Sequence, residues 1–147
     1  MRLLVAEDER DLNRLLQKVQ ALNEGGLETK QLVEAIKSYI SENIYYDLSR
    51  ETIAEQLKYH PDHLSRVFKK ATGETLINYI QNEKIKTAIY LFKETNLSVS
   101  QVADRLGYTN FSYFSQLFKQ KTGYTVREYK RKYLNKTDGD NAADLLR

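Results

Sequence analysis

Residues 48–73, LSRETIAEQLKYHPDHLSRVFKKATG, are restated by residues 97–123, LSVSQVADRLGYTNFSYFSQLFKQKTG. A chain that repeats one apolar pattern must bury it twice, so this duplication constrains the fold before any single residue does. Leu48, Ile53, Ala54, Leu57 and Tyr59 return 49 positions later as Leu97, Val102, Ala103, Leu106 and Tyr108. Leu64, Ser65, Phe68, Lys69, Thr72, Gly73 and Tyr79 return 50 positions later as Phe114, Ser115, Phe118, Lys119, Thr122, Gly123 and Tyr129. The second turn therefore holds one added residue, and the two turns need not share a backbone. Each copy reads as a short helix, a turn and a second, basic helix, the pattern of a helix-turn-helix that presents its second helix to DNA.

Apolar spacing extends the helical reading in both directions. Leu12, Leu15, Val19 and Leu22 follow a 3-4-3 rhythm, a stripe about as narrow as a helix-helix seam. Gly25 and Gly26 interrupt it. A helix over about 28–43 turns Leu32, Ile36, Tyr39 and Ile40 inward, and Ser49 or Thr52 caps the short helix that follows over about 49–58. Pro61, the one proline in the chain, suits the first turn of the next helix, whose buried stripe is Leu64, Val67, Phe68 and Ala71. A long helix over about 75–94 carries Leu76, Tyr79, Ile80, Ala88, Leu91 and Phe92. Ser98 caps the second unit, whose later helix starts near Asn110 and buries Phe111, Phe114, Leu117 and Phe118. A last helix spans about 125–134. No segment alternates like a strand, so the expected fold is all-α, with an N-terminal arm or helix over 1–26, a helical domain over 27–134 and a polar tail over 135–147.

Charge is partitioned along the chain. The whole carries +3, but residues 48–134 hold 15 Lys and Arg against 8 Asp and Glu, so a polyanion is drawn to the repeated region. Cysteine is absent, which removes disulfides, thiolate nucleophiles and cysteine-bound zinc. No glycine-rich phosphate loop and no nucleophile-base pattern stands out, so binding without catalysis is expected. Neither a membrane-length apolar run nor a signal peptide opens the chain, and the expected location is the cytoplasm.

With the apolar stripe assigned inward, the outward groups of the first reading helix are His60, Asp62, His63, Ser65, Arg66, Lys69 and Lys70. Arg66 can bond guanine O6 and N7 with one fork, His63 and Ser65 can assist, and Lys69 and Lys70 fit phosphate. In the second helix the matching groups are Asn110, Ser112, Tyr113, Ser115, Gln116, Lys119 and Lys121. Gln116 stands where Arg66 stands and favours adenine. His60 and His63 have no third metal ligand nearby in sequence, so no metal or cofactor is expected. The phenylalanines and tyrosines read as core. A connecting helix roughly 30 Å long, at about 1.5 Å per residue, approaches the roughly 34 Å between successive major-groove faces, so one molecule supplies two reading helices.

These motifs carry a resemblance. LSRVFKKATGETLINYI at 64–80, KIKTAIYLF at 84–92 and VADRLGYTNFSYFSQLFKQKTGYTVREY at 102–129 resemble the AraC/XylS-family DNA-binding domain over residues 28–134. The resemblance implies a seven-helix bundle with two helix-turn-helix units joined by a long helix. It also implies a transcription factor that binds double-stranded DNA and, as an activator, RNA polymerase. Two positions depart from it. Val126 stands where the family usually has proline, which loosens the expected start of the final helix; Gln116 stands where arginine is common, which argues against guanine readout there.

The opening RLLVAEDE resembles the first strand of a response-regulator receiver, with Glu7 and Asp8 in the place of its acidic pair. About 25 residues leave no room for the receiver's sheet, so a helix or a disordered arm is expected. The rival to a DNA-binding regulator is therefore a truncated or fused response-regulator fragment, an interaction module that forms a homodimer through Leu12, Leu15, Val19 and Leu22.

Overall fold

The computed structural model describes residues 27–136, and every regular element among them is an α-helix. In chain order these are α1 (Leu27–Glu42), α2 (Arg50–Leu57), α3 (Pro61–Thr72), α4 (Leu76–Glu94), α5 (Val99–Arg105), α6 (Phe111–Thr122) and α7 (Val126–Tyr133). The stripe at Leu12, Leu15, Val19 and Leu22, the receiver-like start with Glu7 and Asp8, and the tail beyond residue 136 lie outside the described residues. Among the described residues no helix is long and apolar enough to cross a membrane.

Local chemistry sets the helix boundaries. A helix begins with four N–H groups that lack intrahelical partners, and a side-chain acceptor one residue ahead satisfies one of them. Ser49, His60, Thr75, Ser98, Asn110 and Thr125 each fill that position. Ser98 and Thr125 complete reciprocal capping boxes with Gln101 and Glu128. Both reading helices end by one device. The hydroxyls of Thr72 and Thr122 bond the carbonyls of Phe68 and Phe118 at 2.7 and 2.8 Å, and the next residue, Gly73 or Gly123, takes φ near +84° or +83°. That conformation closes the last turn and penalises any Cβ.

Two apolar cores form, one per repeat. The first gathers Leu32, Val33, Ile36, Ile40 and Ile44 around Ile53, Ala54, Leu64 and Phe68, and takes Leu76 and Ile80 from the start of α4. The second takes Ile85, Ala88, Leu91 and Phe92 from the rest of α4 and packs them on α5, α6 and Val126 of α7. Phe68, Phe92, Phe114 and Phe118 are fully buried, each contributing about 1.5–3 kcal/mol by leaving water. In the second core Phe118 meets Phe92 and Tyr129 edge-on, with ring centroids 5.9 and 5.5 Å apart. Helix α4 thus serves both halves, and its 19 residues span about 28 Å.

Between Ile80 of one core and Ile85 of the other lies Lys84, a buried charged residue at 4% exposure. Its ammonium donates to the carbonyl of Ile44 at 3.0 Å, to that of Tyr46 at 2.6 Å, and to that of Leu106. An ammonium has three donors and no acceptor, so its hydrogen-bonding capacity is filled. The Tyr108 ring lies 5.5 Å from the same nitrogen. Burial pulls the lysine down to about 8, opposed by the Asp47 carboxylate, and burial pushes the Tyr108 hydroxyl up to about 12.

Two expected core positions are corrected. Ala71 is exposed, because the apolar stripe of α3 ends at Phe68 and Thr72 instead supplies the inward group of the last turn. Phe111 is 48% exposed, because it opens α6 and the buried stripe begins one turn later at Phe114.

Candidate nucleic-acid interface

Each reading helix is held by its own short helix, and the intervening turns differ less than their lengths suggest. Helix α2 ends at Lys58, with φ +63°, while α5 runs through Leu106 to Gly107, with φ +83°. Lys58 and Gly107 are 49 residues apart, so the left-handed step is common to both turns. The following tyrosine bonds back in both, Tyr59 N to Ala54 O at 2.9 Å and Tyr108 N to Ala103 O at 3.0 Å. The added residue is thus Thr109, between this shared step and the Asn110 cap.

The start of α3 is fixed by three contacts. His60 Nδ1 accepts from the Asp62 N–H at 3.2 Å, so this histidine is the acceptor that caps the helix. His63 stacks on Tyr59, with ring centroids 5.9 Å apart. Arg50 on α2 meets the Asp62 carboxylate at 2.8 Å with both side chains well exposed; such a solvent-screened bridge orients more than it stabilises. Among the described residues no group of three His, Cys, Asp or Glu side chains is placed to hold a metal ion.

At 100° per residue, Leu64 and Phe68 define the inward side of α3, and Arg66 falls at the middle of the opposite side. Asp62 and Lys69 flank it on one edge, His63 and Lys70 on the other, and all five are exposed. Ser65 is half-buried at the margin. Arg66 Nε reaches its own helix at the Asp62 carbonyl, at 3.4 Å. Ser65, Arg66, Lys69 and Lys70 also line a groove of about 780 Å³ together with Leu76 and Ile77, with Ile77 66% exposed.

The same construction on α6 places Gln116 at the centre, flanked by Ser112, Lys119, Tyr113 and Gln120, all exposed. Asn110 caps the helix by accepting from the Tyr113 N–H at 3.0 Å, and Ser115 sits half-buried at the margin like Ser65. Lys121 does not join this face. It falls on the α4 side, half-buried, and its ammonium bonds the Asn78 side-chain oxygen. Gln120, which takes the place of Lys70, is absent from the candidates that the sequence offers, and Phe111, expected in the core, stands exposed at the helix tip. The 50-residue offset was the signal for both, since it pairs Gln120 with Lys70 and Phe111 with Pro61 of a helix's first turn.

Helix α7 adds Lys130, Arg131 and Lys132 beyond the second unit. Its start is not loosened by Val126, which is buried and follows a complete capping box: Thr125 N donates to Glu128 Oε1 at 2.8 Å and Glu128 N to Thr125 Oγ1 at 3.1 Å. Those bonds, with Lys119 nearby, hold the Glu128 carboxyl below its ordinary range. The structure thus carries two outward, cation-bearing helix faces, built by equivalent residues and joined through one helix.

Known proteins are similar to this chain in sequence and fold. A family model described as a helix-turn-helix domain matches residues 53–132, from within α2 to the end of α7. The bifunctional transcriptional activator/DNA repair enzyme AdaA of Bacillus subtilis is 35% identical over 99 residues, covering 67% of this chain and 47% of that protein. The C-terminal domain of AraT, a response regulator from Geobacillus stearothermophilus, aligns with a TM-score of 0.67 and 31% identity, over 70% of this chain and 86% of that one. The C-terminal domain of the two-component response regulator yesN from Fusobacterium nucleatum aligns with a TM-score of 0.63 and 26% identity, over 66% and 95%. The chain spans less than half the length of AdaA.

Proposed function

Because the chain belongs to the AraC-type helix-turn-helix domain family, we propose that it is a sequence-specific DNA-binding transcriptional regulator, one molecule of which lays α3 and α6 in successive major grooves. One observation carries this reading: Arg66 and Gln116 occupy the centres of two equivalent exposed helix faces on a single framework. Arg66 reads guanine through its fork, and Gln116 reads adenine through its amide. Ser112 and His63 flank these readers, and Phe111 offers its exposed ring to a thymine methyl. Lys69, Lys70 and Lys119 take phosphate, while the N-caps His60 and Asn110 and the marginal Ser65 and Ser115 hold each helix in register against the backbone. The action is binding, without catalysis. RNA polymerase is the further partner for an activator of this kind.

Selection from a random DNA pool tests the reading. A bipartite motif should be enriched, and Arg66→Ala should relax preference at one position at a cost of about 1–3 kcal/mol, with Gln116→Ala doing the same in the other half. Failure to enrich any motif would remove the assignment.

A second reading is supported by the two response-regulator C-terminal domains among the relatives and by the receiver-like RLLVAEDE start. In it, the chain is a response-regulator fragment that pairs two copies through Leu12, Leu15, Val19 and Leu22. Light scattering coupled to size exclusion decides it, since a strict monomer with this segment present leaves no such pairing.

A further inference from the structure

The two reading units have separate apolar cores that share α4, so what lies along that helix between them helps to fix one against the other. The residue at the boundary is Lys84. Its three bonds go to backbone on both sides: Ile44 and Tyr46 lie in the connection that leads into α2, and Leu106 lies where α5 ends. Each attachment is thus next to the first helix of one helix-turn-helix unit. We propose that Lys84 is a positioning residue that sets the distance between the two DNA half-sites, by pinning α2 and α5, and with them α3 and α6, to one relative placement. The inference rests on the DNA-binding reading above.

Three observations support it. First, the seam is tight as well as bonded. A Cβ on Gly107 would lie 3.1 Å from both Asp47 N and Tyr46 C, so the backbone of the second turn abuts the connection ahead of α2. Second, the neighbouring turns of α4 reach the second reading helix directly: Gln81 Nε2 donates to the Tyr113 hydroxyl at 3.1 Å, and Asn78 accepts from Lys121. Lys84 is the inner member of a row of ties from one helix. Third, the choice of residue is informative. A buried ammonium is a poor way to gain stability, because an apolar side chain of similar length would join the two cores without a desolvation penalty. What the ammonium supplies is direction, since three fixed acceptors define one geometry whereas an apolar contact tolerates sliding.

The consequence for DNA follows from its pitch. One base pair shifts the groove by about 3.4 Å and turns it by about 36°, so a displacement of a few ångströms across the seam equals one base pair of register. An isolated half-site is read by one face alone and makes no demand on the seam.

The test uses the full chain and the bipartite site selected with it, in duplexes whose half-sites are moved apart or together one base pair at a time, together with each half-site alone. The wild-type protein should show a sharp optimum, losing at least about tenfold for a one-base-pair change, the factor for one lost bidentate contact. Lys84→Met should flatten that profile to within about threefold while leaving single half-site affinity unchanged; Lys84→Arg, which keeps charge and donors, should restore a sharp profile. A merely structural role would weaken every duplex by one factor and preserve the shape of the profile. A folded Lys84→Met protein with the wild-type profile overturns the inference and leaves the DNA-binding reading standing, whereas a wild-type protein that enriches no bipartite site overturns that reading itself. Should Lys84→Met not fold by circular dichroism, Lys84→Gln is measured in the same way. If neither folds, the lysine is a requirement for folding and the spacing role is rejected.

Discussion

Replacing Lys69 and Lys119 together with alanine removes one exposed cation from the same place on each reading face, three residues beyond Arg66 in one and Gln116 in the other. A lysine that neutralises one phosphate contributes about −0.9 to the slope of log K against log salt concentration. Two lysines contribute about −1.8, and over a fourfold rise in salt this slope amounts to about a twelvefold change in affinity. From about 50 to about 200 mM salt the wild-type protein should therefore lose roughly tenfold more affinity than the double variant. Glu128 sits close to Lys119 with its carboxyl held in the charged form, so it offsets part of the second lysine's attraction. The Lys69→Ala change alone should then flatten the slope at least as much as Lys119→Ala alone. Fluorescence anisotropy titrations at four salt concentrations, on the selected site and on an unrelated duplex, read these slopes. Gln116→Ala is the control, expected to alter sequence preference and leave the slope intact. Equal slopes for the wild-type and double-variant proteins would show that neither lysine meets phosphate.

Phe118→Ala should destabilise the second core by about 3–5 kcal/mol in urea unfolding, since the ring is fully buried between Phe92 and Tyr129. Gly123→Ala should lower stability by about 1–2 kcal/mol although nothing lies within 4 Å of the added methyl, because the penalty comes from φ +83° alone; a neutral result would show that the helix end relaxes. The pH dependence of stability should show two opposed windows. Lys84 falls from an ordinary 10.5 to about 8 on folding, so the unfolded chain holds more protons between those values and stability rises with pH from about 8. Tyr108 rises from 10.0 to about 12, so its contribution is complete below 10 and is lost as pH climbs towards 12. Urea midpoints at pH 7.5, 9 and 10 should therefore climb in wild type and stay flatter in Lys84→Met, whereas parallel trends would contradict the assigned shift.

The sequence was most legible where local chemistry decides the outcome. Caps at Ser49 and Ser98 and the proline-opened α3 each follow from one or two side chains acting on adjacent backbone. Periodicity recovered most of both cores, because Leu64, Phe68, Phe114 and Phe118 repeat at helical spacing. It failed at helix ends. Phe111 has the composition of a core residue, but its place in the first turn of α6 lies outside the span that faces α4 and α5. Lys121 reads as one more surface cation until α4 comes alongside and offers Asn78. Lys84, in the run EKIK, has neighbours typical of a solvated face, and only the meeting of three distant carbonyls makes it interior.

Lys58 and Gly107 adopt the same left-handed step, yet Lys58 is exposed, whereas a Cβ at Gly107 would meet the backbone of Tyr46 and Asp47 at 3.1 Å. The two units are consequently not interchangeable: exchanging them would drive a lysine side chain into the joint between the halves. A symmetric dimer sits on its palindrome identically either way round, and its complex has no front or back. This chain, bound as proposed, has one α3 end and one α6 end in an order its own joint enforces, so its complex with DNA has a heading. Whatever it presents to other machinery then points along one strand only, upstream or downstream, as the orientation of the site dictates.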